Sequence, residues 1–183
     1  SNEEAVGTWI FRTQGDRRLA ESHDRALADF GDDWLVREIT LYLKRTLARL
    51  DVTSRSLFAL IEPGSCFVGV LLELALAADR TYMLEGTREG DELPPAAITL
   101  TGANFRRFPM LNGLARIETR FIDDPNHLEE LRGRIDDDLR AEEAEELGLL
   151  TFVPDEIDWD DEVRIAIEER ASFSPDALAG MDA

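Results

Sequence analysis

The chain has 183 residues, 44 % hydrophobic and 32 % charged, and a formal charge of −19. It is long and apolar enough to fold around one substantial core, so disorder is excluded. The acid excess argues against phosphate-neutralising nucleic-acid surfaces and against anionic lipid, leaving neither nucleic acid nor membrane as an expected partner.

The only cysteine, Cys66, can form no disulfide within the chain and lies in an apolar segment, where a small core thiol is the plain reading. No cationic leader precedes an apolar stretch, and no uncharged run is long enough to span a bilayer, so the chain reads as cytosolic.

In chain order, Thr8–Thr13 alternates as a strand and Gln14-Gly15-Asp16 turns. Asp16–Asp33 reads as polar loop with a short helix at Ser22–Phe30. Asp33 then caps a helix to Leu50, with Trp34, Leu35, Ile39, Tyr42, Leu43 and Leu47 on its apolar side. Leu57–Ile61 has the length and flanks of a buried strand, Pro63 and Gly64 break it, and Gly69–Ala78 continues as an apolar helix. One carboxylate, Glu73, sits in that helix. It must find a cation or have a raised pKa, because burial disfavours its charge.

Arg80–Leu84 is the next strand, Glu85–Pro95 a polar loop, Ala96–Leu100 a strand and Met110–Phe121 a helix. Leu139–Leu150 is a helix ending at Gly148 and leading to a strand, and Asp158–Ser172 is the last long helix. Ser174-Pro175 opens another. Strands separated by helices, without tandem hairpins, give an α/β fold.

The order of strand, Gly turn, helix, inward Glu and Ala-Ala-Asp in Leu57–Asp79 resembles the enoyl-CoA hydratase/isomerase (crotonase) superfamily. Phe108–Arg116 and Asp138–Pro154 resemble further segments of it. The resemblance implies a crotonase-like superhelix of repeated strand–helix turns, with Leu57–Ile61 and Arg80–Leu84 adjacent. It also implies that residues 1–183 are a single such domain, truncated at both ends. NEEAVGTW, SRSLFALIEPGSC, LALAADRTYML and IDWDDEVRIAIEERASFSPDAL, in that order, are similar to the second half of benzoyl-CoA-dihydrodiol lyases. That family opens the ring of an epoxidised benzoyl-CoA with loss of formate.

The resemblance implies an acyl-CoA substrate, no cofactor beyond the coenzyme A of that substrate, a homo-oligomer, and a catalytic half of the polypeptide as partner. Such chemistry polarises the thioester oxygen with two amides and moves protons with one or two carboxylates. Carried over, the second amide is that of Val70, where the family has glycine. The first should follow the opening strand in a Phe-x-Ala-Gly-Ala-Asp-like motif. Leu19–Asp24 is the candidate, with the His23 amide as donor. Glu73 takes the place of the first catalytic Glu, or else pairs structurally with Arg80 or Arg116. The second catalytic Glu would fall at Gly102, which moves no protons, leaving Glu85, Glu89, Asp91 or Glu92 as substitutes. Asn104 and Asn112 could bond substrate, and Arg106 and Arg107, beside Phe105 and Phe108, could hold CoA phosphate or cover adenine. His23 and His127 are far apart and no ligand spacing suggests a metal. A scaffold half that no longer catalyses, or a generic enoyl-CoA hydratase, remains open beside the lyase.

Overall fold

A computed structural model describes residues 6–88, 90 and 92–172. The helix expected from Ser174 and the loop acids Glu89 and Asp91 lie outside them. The chain runs β1 (Thr8–Phe11), α1 (Arg17–Asp29), α2 (Trp34–Ala48), β2 (Ser56–Ile61), α3 (Leu72–Leu76), β3 (Arg80–Met83) and β4 (Ile98–Thr99). It continues through α4 (Arg116–Arg120), α5 (Pro125–Arg132), β5 (Asp138–Leu139), α6 (Ala141–Glu146) and α7 (Trp159–Ser172), with 3₁₀ turns at Leu50–Val52 and Gly102–Asn104.

β2 is the centre of a parallel sheet ordered β1-β2-β3, so the two inner strands expected to be neighbours are. All six β2 residues are buried, as both faces of a parallel sheet are covered. Leu57, Ala59 and Ile61 face the main core with Leu72, Met83, Ile98, Leu100 and Ile117. Phe58 and Leu60 face the other way, against Tyr82, Leu84 and the α7 residues Trp159, Val163 and Ala166. β4 and β5 form a short antiparallel ladder, tied to the segment after β2 by a Val68–Thr99 bridge.

Several boundaries differ from those expected. α1 is longer than the short helix expected at Ser22–Phe30, because the Asp16 carboxylate accepts from the amides of Arg18 and Leu19 and starts it early. α3 is confined to Leu72–Leu76, since a tight turn occupies the residues before it. Met110–Leu114 is a turn rather than helix: Gly113, at φ 85°, reverses it, and Leu114 N–H donates to Asn112 Oδ1 at 2.9 Å. α5 was not anticipated, although Asp124 followed by Pro125 at the first helical position is a start signal. The apolar side of α2 is only partly covered: Leu47 is buried, while Trp34 is 74 % and Tyr42 64 % exposed. Among the described residues no helix is long and apolar enough to cross a membrane.

Candidate functional site

Between Val68 and Leu71 the chain reverses, with Leu71 N–H donating to Val68 O at 2.9 Å. Gly69 occupies the first central position at φ 49°, where a side chain is strained. A Cβ there would also lie 2.8 Å from Thr101 Oγ1 and against the buried Asp24 carboxylate. Both sides of Gly69 are tied: its N–H donates to Thr99 O at 3.1 Å, and its carbonyl accepts from Asn104 Nδ2 at 2.9 Å. The next amide, that of Val70, has no acceptor among the described residues. Val70's side chain is half-buried and packs on Leu47, Ala103 and Phe108.

Three residues after Val70, Leu72–Leu76 carries Glu73 inward to 1 % exposure. Its Oε1 accepts from Asn104 Nδ2 at 2.8 Å and its Oε2 from Arg116 Nη1 at 2.8 Å. Arg116, equally buried, donates on to Asp51 Oδ1 at 2.7 Å and to Leu47 O at 3.0 Å. Burial raises the Glu73 pKa, while Asn104 and Arg116 oppose it and the Asp24 charge adds to it. Of the two arginines considered as its partner, the structure selects Arg116. Arg80 lies on the other side of the sheet, over the Phe58 and Phe152 rings.

Asn104 is bonded on every side, since its Oδ1 also accepts Thr101 N–H at 3.0 Å. It is therefore part of the framework instead of a substrate contact. Asn112 shapes its turn. Asp24, mid-helix in α1, was not expected to be buried; its carboxylate takes the Thr101 hydroxyl, and Arg107 donates to its carbonyl at 3.1 Å. Nothing in the periodicity marks Asp24, because the short helix at Ser22–Phe30 has no apolar face that would turn it inward.

One expected assignment is corrected. The His23 amide lies in the interior of α1, where helical amides are committed to the preceding turn, so it has no N–H to offer. The loop after β1 is Arg12–Asp16, and Phe11 to Asp16 keeps the span of the Phe-x-Ala-Gly-Ala-Asp pattern. Gly15 is then the counterpart, and its N–H donates to Gly64 O at 3.2 Å. Arg106 bonds Glu118 at 2.8 Å with most of its side chain exposed, Arg107 donates to Asp24 O at 3.1 Å, and the Phe105 and Phe108 rings beside them are buried. Gly102 carries no carboxylate, and Glu85 and Glu92 are exposed. Among the described residues no three His, Cys, Asp or Glu side chains converge as a metal site.

A groove of about 630 Å³ lies where β1 and β2 end, lined by Gly15, Arg17, Gly64, Ser65 and Pro94. Ligands of parallel sheets gather at the carboxyl ends of the strands. A second, of about 640 Å³, lies at the opposite end of β2, lined by Ser54, Arg55, Leu57, Asp79 and Arg116. Glu73 lines neither.

No protein-family model matches the chain. It is similar to an enoyl-CoA hydratase/isomerase structure from Xanthobacter autotrophicus Py2, with TM-score 0.62 and 19 % identity, covering 97 % of this chain and 61 % of that one. An enoyl-CoA hydratase structure from Bacillus anthracis matches with TM-score 0.57 and 21 % identity, covering 81 % of this chain and 52 % of that one. The chain has the crotonase fold. It is 49 % identical over all 183 residues to the benzoyl-CoA-dihydrodiol lyase of Aromatoleum evansii, of which it spans 32 %. The Gly69–Val70 turn and Glu73 thus sit on a crotonase framework, with the Arg116–Glu73–Asn104 network beneath them.

Proposed function

We propose that this chain is part of a lyase acting on a CoA thioester of the benzoyl-CoA-dihydrodiol kind. The observation that carries the reading is 49 % identity, sustained over the whole chain, to a protein named for that activity. In this reading the thioester oxygen gains negative charge as the enolate forms and takes the unpartnered Val70 N–H. Glu73 moves no proton, because both its oxygens are already spent on Asn104 and Arg116 in a buried site. The proton-transfer carboxylate then comes from the catalytic half of a longer polypeptide or from a further copy. No cofactor is needed beyond the coenzyme A that the substrate brings.

A specific observation favours a second reading, a scaffold half without chemistry. The Gly15 amide, counterpart of the first donor, is bonded to Gly64 O. Calorimetric titration of the chain with benzoyl-CoA, against free CoA as control, separates the two. Saturable binding of benzoyl-CoA that free CoA does not match supports the lyase reading. Absence of binding supports the scaffold.

A further inference from the structure

We infer that Asn104 is a positioning residue that aims the Val70 amide; the inference rests on the carbonyl-polarising role given to that amide above. A trans peptide unit is planar, and its N–H and C=O point in opposite directions. Gly69 C=O and Val70 N–H belong to one such unit, and the chain has no cis peptide among the described residues. Fixing the carbonyl therefore fixes the amide. Asn104 Nδ2 holds the carbonyl at 2.9 Å and thereby turns Val70 N–H away from itself, toward the side where it meets no protein acceptor.

No other hydrogen bond in the turn reaches this peptide unit among the described residues. Gly69 N–H, tied to Thr99 O, belongs to the preceding peptide unit, and glycine at φ 49° offers no side chain to lock the next one. Asn104 cannot swing, because its amide is fixed from both ends. Thr101 N–H holds Oδ1, and the second Nδ2 proton goes to Glu73 Oε1. Glu73 is held by Arg116, and Arg116 by Asp51 and Leu47 O. The buried ion pair is thus the anchor of a relay that ends at one backbone plane, and the carboxylate in the catalytic-Glu position acts through Asn104 instead of on substrate.

Infrared spectroscopy of benzoyl-CoA labelled with ¹³C at the thioester carbonyl reads the amide directly, because a donor at the oxygen lowers the stretching frequency. The wild-type chain is expected to bind the ligand and shift the band down. Asn104→Leu should bind but lose the shift at every pH. Asn104→Asp keeps the acceptor for Thr101 N–H, and its one acid proton, for which the Glu73 carboxylate competes until it too is protonated, can reach Gly69 O only at acid pH. Its shift should appear at acid pH and vanish as pH rises, a profile that a merely structural role would not produce. It also keeps the test open if the leucine variant does not fold. Wild-type shifts that persist in both variants across the pH range would overturn the Asn104 assignment alone. Wild-type binding without a shift, or no binding, would overturn the polarising role of Val70 and this inference with it.

Discussion

Glu73 is where residue-scale energetics are most exposed to test. Breaking a buried ion pair by removing one partner costs about 3–5 kcal/mol. Glu73→Gln leaves Arg116 with Asp51 alone and sets an amide N–H₂ against one of two donors, so a loss near the low end, about 3 kcal/mol, is expected in denaturant unfolding. If the chain is part of a lyase as proposed, turnover per folded molecule should fall by less than the ~10²–10⁴ that a lost proton-transfer group costs. The pH dependence has a definite sign. Since burial raises the folded pKa above its ordinary 4.5, the stability Glu73 contributes is fully present below that value and declines as pH rises through the folded pKa. Glu118 behaves oppositely. Burial works to raise it, but the Ala115 amide and Arg106 outweigh that and lower its pKa, so its contribution is present above 4.5 and is lost as pH falls through the folded value. Unfolding titrations of Glu73→Gln and Glu118→Gln against wild type should therefore diverge in opposite directions across the acid range. Parallel curves would show that neither group is linked to folding.

At the scale of elements, two starts and one turn are decided by single residues. Asp33 accepts from the amides of Leu35 and Val36 and opens α2, so Asp33→Ala should cost about 1 kcal/mol, measured by thermal or urea unfolding. Gly69→Ala places a methyl into the Asp24–Thr101 contact at a positive φ, and a loss of roughly 2–3 kcal/mol is expected for strain of that kind. A Gly69→Ala chain as stable as wild type would mean that the turn has room to relax. Glu118 gives α4 its start: its side chain reaches back to the Ala115 amide at 3.0 Å, which lets a five-residue helix hold Arg116 under Glu73.

For the whole molecule, the charge of −19 sets a repulsive background that the local ion pairs only partly offset. Raising salt should increase the melting temperature, because screening relieves long-range repulsion while the buried Glu73–Arg116–Asp51 cluster is little affected. A melting temperature that falls with salt would mean that exposed pairs such as Arg164–Asp161 matter more than net charge. α2 carries Arg37, Lys44 and Arg45 against Glu38, so this helix is basic in an acidic chain.

Local patterns in the sequence were enough to place β2, β3 and α7: an apolar run of strand length, a short stretch between Asp79 and Glu85, and a long helical stretch opened by Asp158. They also marked Glu73 as a buried acid and named Arg116 among its partners, because an isolated carboxylate between leucines has few ways to be satisfied. The ends of α3 and α4 were not legible. Each is shortened by a turn held by hydrogen bonds to distant residues, Thr99 and Asn104 in one case and Asp51, which accepts the Leu111 amide, in the other. Asp16 and Asp124-Pro125 did signal α1 and α5, but the polar composition around them concealed helices whose cover comes from tertiary packing. The expected donor at His23 falls inside α1 for the same reason: only the fold reveals which residues follow the strand and which are already helix. Residue types and spacing are local quantities and set the elements. Which carbonyl Asn104 holds, and hence where the Val70 amide points, is a matter of contacts across 35 residues of chain that only the folded structure decides.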